Sequence, residues 1–182
     1  MIHRRLGSLP NLITLGRLVL VPAIIAMIAS QRWVEACVIF AVAGISDAVD
    51  GWIAKTFDLR TELGAYLDPL ADKALLVSIY VALAIVGVLP ATLAILVVAR
   101  DVMIVGAFMI SWLMGKPIEV KPLLISKLNT TAQICFAVLV LCIKAFDFPA
   151  GLWFNISLYG VAALTIASMA AYFGQWIRHM GL

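Results

Sequence analysis

Charge is what this 182-residue chain has least of: only 13% of its residues are Asp, Glu, Lys or Arg, and 64% are hydrophobic. A soluble domain carries about a quarter charged residues and about half apolar ones, so a water-soluble globule is excluded. The balance of 13 Lys and Arg against 10 Asp and Glu, a net +3, is too small to point to nucleic acid. Cysteine is also sparse. Cys37, Cys135 and Cys142 lie in apolar runs without a CxxC spacing or a nearby histidine, which excludes a disulfide framework or zinc knuckle and leaves small buried hydrophobes. No internal repeat, low-complexity stretch or long linker divides the chain, so residues 1–182 are expected to form a single membrane-embedded domain.

What is there is long apolar segments. Polar or Pro/Gly breaks separate six of them, at about 10–30, 33–55, 64–88, 90–114, 123–144 and 151–176. None alternates as a strand would, so the expected class is an all-α integral membrane protein with six transmembrane helices. Basic residues orient it. With both termini cytoplasmic, Arg4, Arg5, Lys55, Arg60, Lys116, Lys121, Lys127 and Arg178 fall on the inner side, and Arg32 and Lys144 on the outer. The basic start could open a signal peptide, but Arg17 interrupts the apolar run and no clean cleavage site follows, so this stretch is read as the first helix. Trp33, Trp52, Trp153 and Trp176, near helix ends, read as interfacial belt residues.

The few charges sit where a membrane tolerates them least. Arg17, Asp47, Asp50, Lys55, Asp68, Asp72, Lys73, Arg100, Asp101 and Lys127 fall within or at the ends of the expected helices. Each costs about 2.5–3.5 kcal/mol at mid-bilayer. They must therefore pair, bind ions or share a polar cavity.

Asp47 and Asp50 are spaced i, i+3 at the end of the second helix, and Asp68 and Asp72 i, i+4 at the start of the third. Each pair shares one helix face. The two helices are expected to be antiparallel neighbours joined by a short loop, so the pairs can face each other, and four carboxylates so close require protons or cations. All-oxygen ligation points to Mg²⁺ or Mn²⁺, and two divalent ions would neutralise the four charges. Such two-metal sites commonly handle phosphoryl chemistry. Side-chain cations are too few and dispersed to make a structural salt-bridge network of all four. Gly51, Ala54 and Gly64 beside them would let a ligand or backbone approach closely.

These residues carry a resemblance. Asp47-x2-Asp50-Gly51-x2-Ala54-Lys55, then eight residues, then Gly64-x3-Asp68-x3-Asp72 resembles the signature D-x2-D-G-x2-A-R-x8-G-x3-D-x3-D of the CDP-alcohol phosphotransferases. Lys55 stands in place of the Arg, keeping a cation but losing the planar fork. The resemblance implies transfer of a phosphatidyl group from CDP-diacylglycerol to an alcohol with release of CMP. It also implies a homodimer and a site facing the cytoplasm. Asp47, Asp50, Asp68 and Asp72 would hold the two ions, with Asp72 also the base that deprotonates the attacking hydroxyl. Asp47, Gly51, Ala54, Lys55 and Gly64 would line the CDP pocket. A bacterial cytoplasmic (inner) membrane is expected, since no long Arg- and Ser-rich leader precedes the first helix.

Two further stretches bear on the acceptor. Lys121-Pro122-x2-Ile125-Ser126-Lys127-x-Asn129-Thr130-x2-Gln133 and Ala167-Ser168-x2-Ala171-Tyr172 are similar to mitochondrial-type cardiolipin synthases, whose acceptor is phosphatidylglycerol. The start Pro10-Asn11-x2-Thr14-x2-Arg17 resembles the N-terminal segment of members that make either cardiolipin or phosphatidylglycerol phosphate, the latter with glycerol 3-phosphate as acceptor. Either acceptor carries a phosphate, and Arg17, Arg100 and Lys127 are the candidates to bind it. A direct pair between Arg100 and its neighbour Asp101 is expected to be poor, because i, i+1 side chains diverge on a helix. A reading of another class, a small cation transporter or channel, is disfavoured because the aspartates cluster at one face instead of spreading across the bilayer depth.

Overall fold

The computed structural model of the chain describes residues 8–56, 62–115 and 123–180, with side chains described at all of these except 8–15, 48, 50–55, 62–70 and 72. The described residues form six helices: α1 (Ser8–Ala29), α2 (Trp33–Thr56), α3 (Glu62–Ile85), α4 (Ala91–Leu113), α5 (Leu124–Ala145) and α6 (Leu152–Met180).

Four of the helix ends turn through a left-handed residue, among them α4 at Gly115 (φ 68°). After α3, Gly87 takes a φ of 76°, its N–H bonds Ala84 O and the N–H of Val88 bonds Leu83 O. This paired closure satisfies the last carbonyls and favours a residue without Cβ. Pro90 then precedes α4 with an extended backbone. The ends of α1 and α5 use the same left-handed turn at Gln31 (φ 56°) and Asp147 (φ 52°). Neither carries the usual glycine signal.

The helices close a ring in the spatial order α1, α2, α5, α6, α4, α3, with α3 also touching α5 across the middle. Among the described residues α2 and α3 do not pack directly on each other. Here α1 lies against both, and the aspartate-bearing end of α2 and start of α3, expected to face each other, lie outside the described side chains. Ala36 and Ala43 of α2, both fully buried, let neighbouring backbones approach closely. Ile24 and Ile28 of α1, Ile79 and Leu83 of α3, and Phe136 and Leu141 of α5 fill the core. Tyr80 of α3 stacks obliquely on Phe136 with ring centroids 6.4 Å apart, and its hydroxyl donates to Gln133 O of α5 at 3.0 Å.

Burial is inverted relative to a soluble bundle. Arg17, Arg100, Asn129, Gln133, Thr165 and Ser168 are inside, while Ile95, Val102, Val105 and Met109 of α4 face outward. The outer face is apolar, as hydrocarbon surroundings require.

The expectation of six transmembrane helices is corrected. Among the described residues three helices are long and apolar enough to cross a membrane, α4, α5 and α6; α1 and α3 hold only shorter apolar stretches, Gly16–Ala29 and Lys73–Ile85. Charge interrupts the opening of α3, which carries Glu62, Asp68, Asp72 and Lys73, whereas α1 holds a single charge, Arg17, and its apolar stretch is counted from Gly16, where the described side chains begin.

The cysteines are also more than scattered small hydrophobes. Cys135 is exposed, and Cys37 of α2 meets Cys142 of α5 with their sulfurs 3.8 Å apart. Mild oxidation should therefore join Cys37 and Cys142 within one chain, as a small mobility shift on non-reducing gels in detergent. Cys37→Ser should abolish the shift and Cys135→Ser should preserve it; a shift that depends on Cys135 instead would contradict the packing of α2 on α5.

Candidate active site

A cavity of about 170 Å³ opens inside the ring, walled by side chains of α1 through α5. Phe40, Ala43, Leu75 and Leu76 make part of its wall apolar, whereas Arg17, Asp47, Lys73, Arg100 and Asp101 bring five charges to it. In such surroundings each charge needs a partner, because water screens it weakly.

The pairing is specific. Arg17 of α1, with its side chain 1% exposed, places Nη1 2.7 Å from Asp47 Oδ1 of α2. Asp47 keeps nearly half its own side chain exposed. The carboxylate thus has one oxygen on the buried guanidinium and retains open surface for a ligand.

Asp101 is a second hub. Its Oδ1 accepts from Lys73 Nζ at 3.2 Å and from Arg100 Nη1 at 2.5 Å. The expectation that Arg100 and Asp101 would pair poorly is corrected: the long arginine side chain bends back, and the guanidinium is held from the far side by other helices. Arg100 is 3% exposed. Its Nη2 donates to Ser126 Oγ of α5, Nε and Nη2 each reach Ser168 Oγ of α6 at 3.3 Å, and the Tyr172 ring lies 5.8 Å away. One side chain of α4 therefore fastens to both α5 and α6.

A buried polar seam continues from there. Gln133 Nε2 donates to Thr165 Oγ1 at 3.2 Å, and Thr165 Oγ1 donates to Asn129 Oδ1 at 2.9 Å. Ser126, Asn129 and Gln133 lie at successive turns of α5, facing Thr165 and Ser168 of α6. Composition gave no hint of this seam, since uncharged polar residues do not stand out in an apolar chain. The signal was positional: i, i+3, i+7 spacing within one apolar helix.

Of the residues singled out in the sequence, Arg17, Asp47 and Arg100 come together at the cavity. Lys127 does not line it and is exposed, whereas Thr130 and Gln133 of the same helix do line it. Asp50, Gly51, Ala54 and Lys55 fall on the last turns of α2, and Gly64, Asp68 and Asp72 on the first turns of α3; their side chains lie outside the described residues. Among the described residues no group of three metal-ligating side chains assembles. The donor set at stake is entirely carboxylate, which suits a hard divalent cation in place of zinc.

Comparison with known proteins gives a family. The family model described as CDP-alcohol phosphatidyltransferase matches residues 7–173. Among similar proteins is the cardiolipin synthase (CMP-forming) / mitochondrial hydrolase fusion protein of Schizosaccharomyces pombe, 35% identical over 94% of this chain and 31% of that protein. Another is the human cardiolipin synthase (CMP-forming), 30% identical over 91% of this chain and 60% of that protein. A third is the CDP-diacylglycerol--glycerol-3-phosphate 3-phosphatidyltransferase of Bacillus subtilis, 29% identical over 92% of this chain and 94% of that protein. The chain thus spans less than two thirds of the length of the first two.

The buried pair on α1 and α2 yields a direct test. Asp47→Ala leaves the Arg17 guanidinium buried beside a missing carboxylate, so it should destabilise the protein more than Arg17→Met combined with Asp47→Ala. Thermal unfolding in detergent across the double-mutant cycle should give a coupling of about 1–3 kcal/mol. Strict additivity of the two substitutions would contradict the pair.

Proposed function

The chain belongs to the CDP-alcohol phosphatidyltransferase family, and from that premise we propose that it transfers a phosphatidyl group from CDP-diacylglycerol to an alcohol and releases CMP. The observation that carries this reading is the cavity among membrane helices, where Asp47 of the family motif stands with two buried guanidiniums, Arg17 and Arg100. A lipid-borne pyrophosphate is a membrane-bound polyanion. A site for it must put cations beneath an apolar surface, and few other ligands need that combination.

The acceptor hydroxyl oxygen attacks the phosphatidyl phosphorus, the bond from that phosphorus to the CMP oxygen breaks, and the hydroxyl proton passes to the Asp72 carboxylate. Asp47, Asp50, Asp68 and Asp72 would hold two divalent ions, Mg²⁺ or Mn²⁺. Bound there, they would supply neutralisation of the charge that builds on the phosphoryl and leaving oxygens. Gly51, Ala54 and Gly64 leave room for the nucleotide along two helices, and Lys55 adds a cation to it. Arg17 orients Asp47. Arg100 holds the phosphate of the acceptor, and Lys127 adds positive charge at the entry to α5.

Phosphatidylglycerol is the acceptor we favour, giving cardiolipin. The stretches around Ser126 and Ser168 support it, as do the two cardiolipin synthases among the similar proteins. Glycerol 3-phosphate is the second reading, supported by the Bacillus subtilis relative, which this chain covers almost end to end. The protein acts as a multi-pass, single-domain homodimer in a bacterial cytoplasmic membrane, with its site open to the cytoplasm where CTP-derived nucleotides are made.

Purified protein given CDP-diacylglycerol, phosphatidylglycerol and Mg²⁺ or Mn²⁺ should release CMP. EDTA should bring the release to background, and re-added cation should restore it; release that survives chelation would remove the metals from the reaction. Asp72→Asn should keep the helical signature and cut turnover by about 10²–10⁴-fold. Turnover near wild type would take the role of base away from Asp72.

A further inference from the structure

Arg100 does more than contribute charge to the cavity wall, because most of its hydrogen-bonding capacity is already committed. A guanidinium has five N–H donors. Nη1 gives one to Asp101, Nη2 directs its two to Ser126 and Ser168, and Nε turns to Ser168 as well. One Nη1 hydrogen remains for the cavity that Arg100 lines.

The local charge is equally restricted. Lys73 and Arg100 share the single carboxylate of Asp101, so the three groups together carry +2 − 1 = +1. Given the phosphatidyl-transfer reading above, we infer that the α5 and α6 hydroxyls set the acceptor specificity, by holding Arg100 so that it offers one N–H and a net single positive charge, a match for a phosphodiester monoanion.

The two candidate acceptors differ in this respect. A phosphodiester within a lipid bears one negative charge. A phosphate monoester bears about −1.5 to −2 near neutral pH, and a guanidinium binds it best through two parallel N–H bonds. Ser168 occupies one side of that fork, Nε with Nη2, and Asp101 cancels the second charge. A dianionic monoester is thereby under-matched in both geometry and charge. The buried seam behind the serines fixes the arrangement. Gln133 and Asn129 grip Thr165 one turn from Ser168, which holds α6 against α5 at the height of Ser168. Ser126 and Ser168 are accordingly positioning residues, and the distinctive stretches around them act together through one arginine instead of touching the acceptor separately.

The test compares kcat/KM for phosphatidylglycerol and for glycerol 3-phosphate, with CDP-diacylglycerol and Mg²⁺ held constant. Wild type should prefer phosphatidylglycerol. Ser168→Ala frees the fork, and Asp101→Asn restores a second positive charge; each should raise the ratio of glycerol 3-phosphate to phosphatidylglycerol use by about tenfold, without moving KM for CDP-diacylglycerol. Ser168→Thr, which keeps the hydroxyl, should hold the wild-type ratio, and Ser126→Ala gives a second route to the same shift. A merely structural role would lower both acceptors equally and leave the ratio unmoved, and that result in folded Ser168→Ala and Ser126→Ala overturns the inference. A wild type that prefers glycerol 3-phosphate overturns it too, while leaving phosphatidyl transfer intact. A wild type that releases no CMP with either acceptor overturns both.

Discussion

The contact between Arg100 and Asp101 sits at the point where α3, α4, α5 and α6 are fastened together. A guanidinium in the middle of an apolar helix costs about 2.5–3.5 kcal/mol if left alone, and here it is resolved by one carboxylate, two hydroxyls and an aromatic face supplied by three helices. Lys73 reaches the same carboxylate from α3. The helices around that point are consequently not free to slide: a shift of α4 by one residue would move Arg100 through about 100° and away from Ser126 and Ser168. Hydrocarbon packing is permissive about register, and polar groups that must meet are not.

Much of the fold was legible because apolar length and its punctuation are strong signals. The breaks near Ser30, Pro90 and Pro149 are visible as polar residues, proline and glycine, and the helices end close to them. The span count was not legible from apolarity alone. α3 is apolar in total, but Asp68, Asp72 and Lys73 interrupt its opening turns, and a reading that sums hydropathy passes over such interruptions. The left-handed turns at Gln31 and Asp147 were likewise hidden, since neither residue type demands that conformation.

Within the cavity, the sequence pointed to individual charges and missed their partners. Arg17 and Asp47 are thirty positions apart, and only packing reveals that they meet. Arg100 and Asp101 were judged by their divergence along the helix, which is sound for short side chains and fails for one long enough to fold back. The uncharged seam was legible only in part: Asn129 and Gln133 stand in a stretch the sequence singles out, but their meeting at Thr165 emerges only once two helices are laid against each other. Spacing along one helix can nominate a face. It cannot name what lies opposite.

The order in which the ring closes differs from the order in which the chain is made. Arg17 finds Asp47 on the very next helix, so the guanidinium of α1 is neutralised within a single hairpin. Arg100 has Asp101 at once but meets its hydroxyls only when α5 and α6 arrive, and the contact of α2 with α5 joins segments on either side of α3 and α4. Assembly is therefore divided in time: an early, self-sufficient pair, and a late one whose completion waits for the C-terminal third of the chain. A nascent chain halted after α4 would carry an incompletely bonded arginine into the bilayer, so the quality of the finished site and the completeness of synthesis are tied to the same hydrogen bonds.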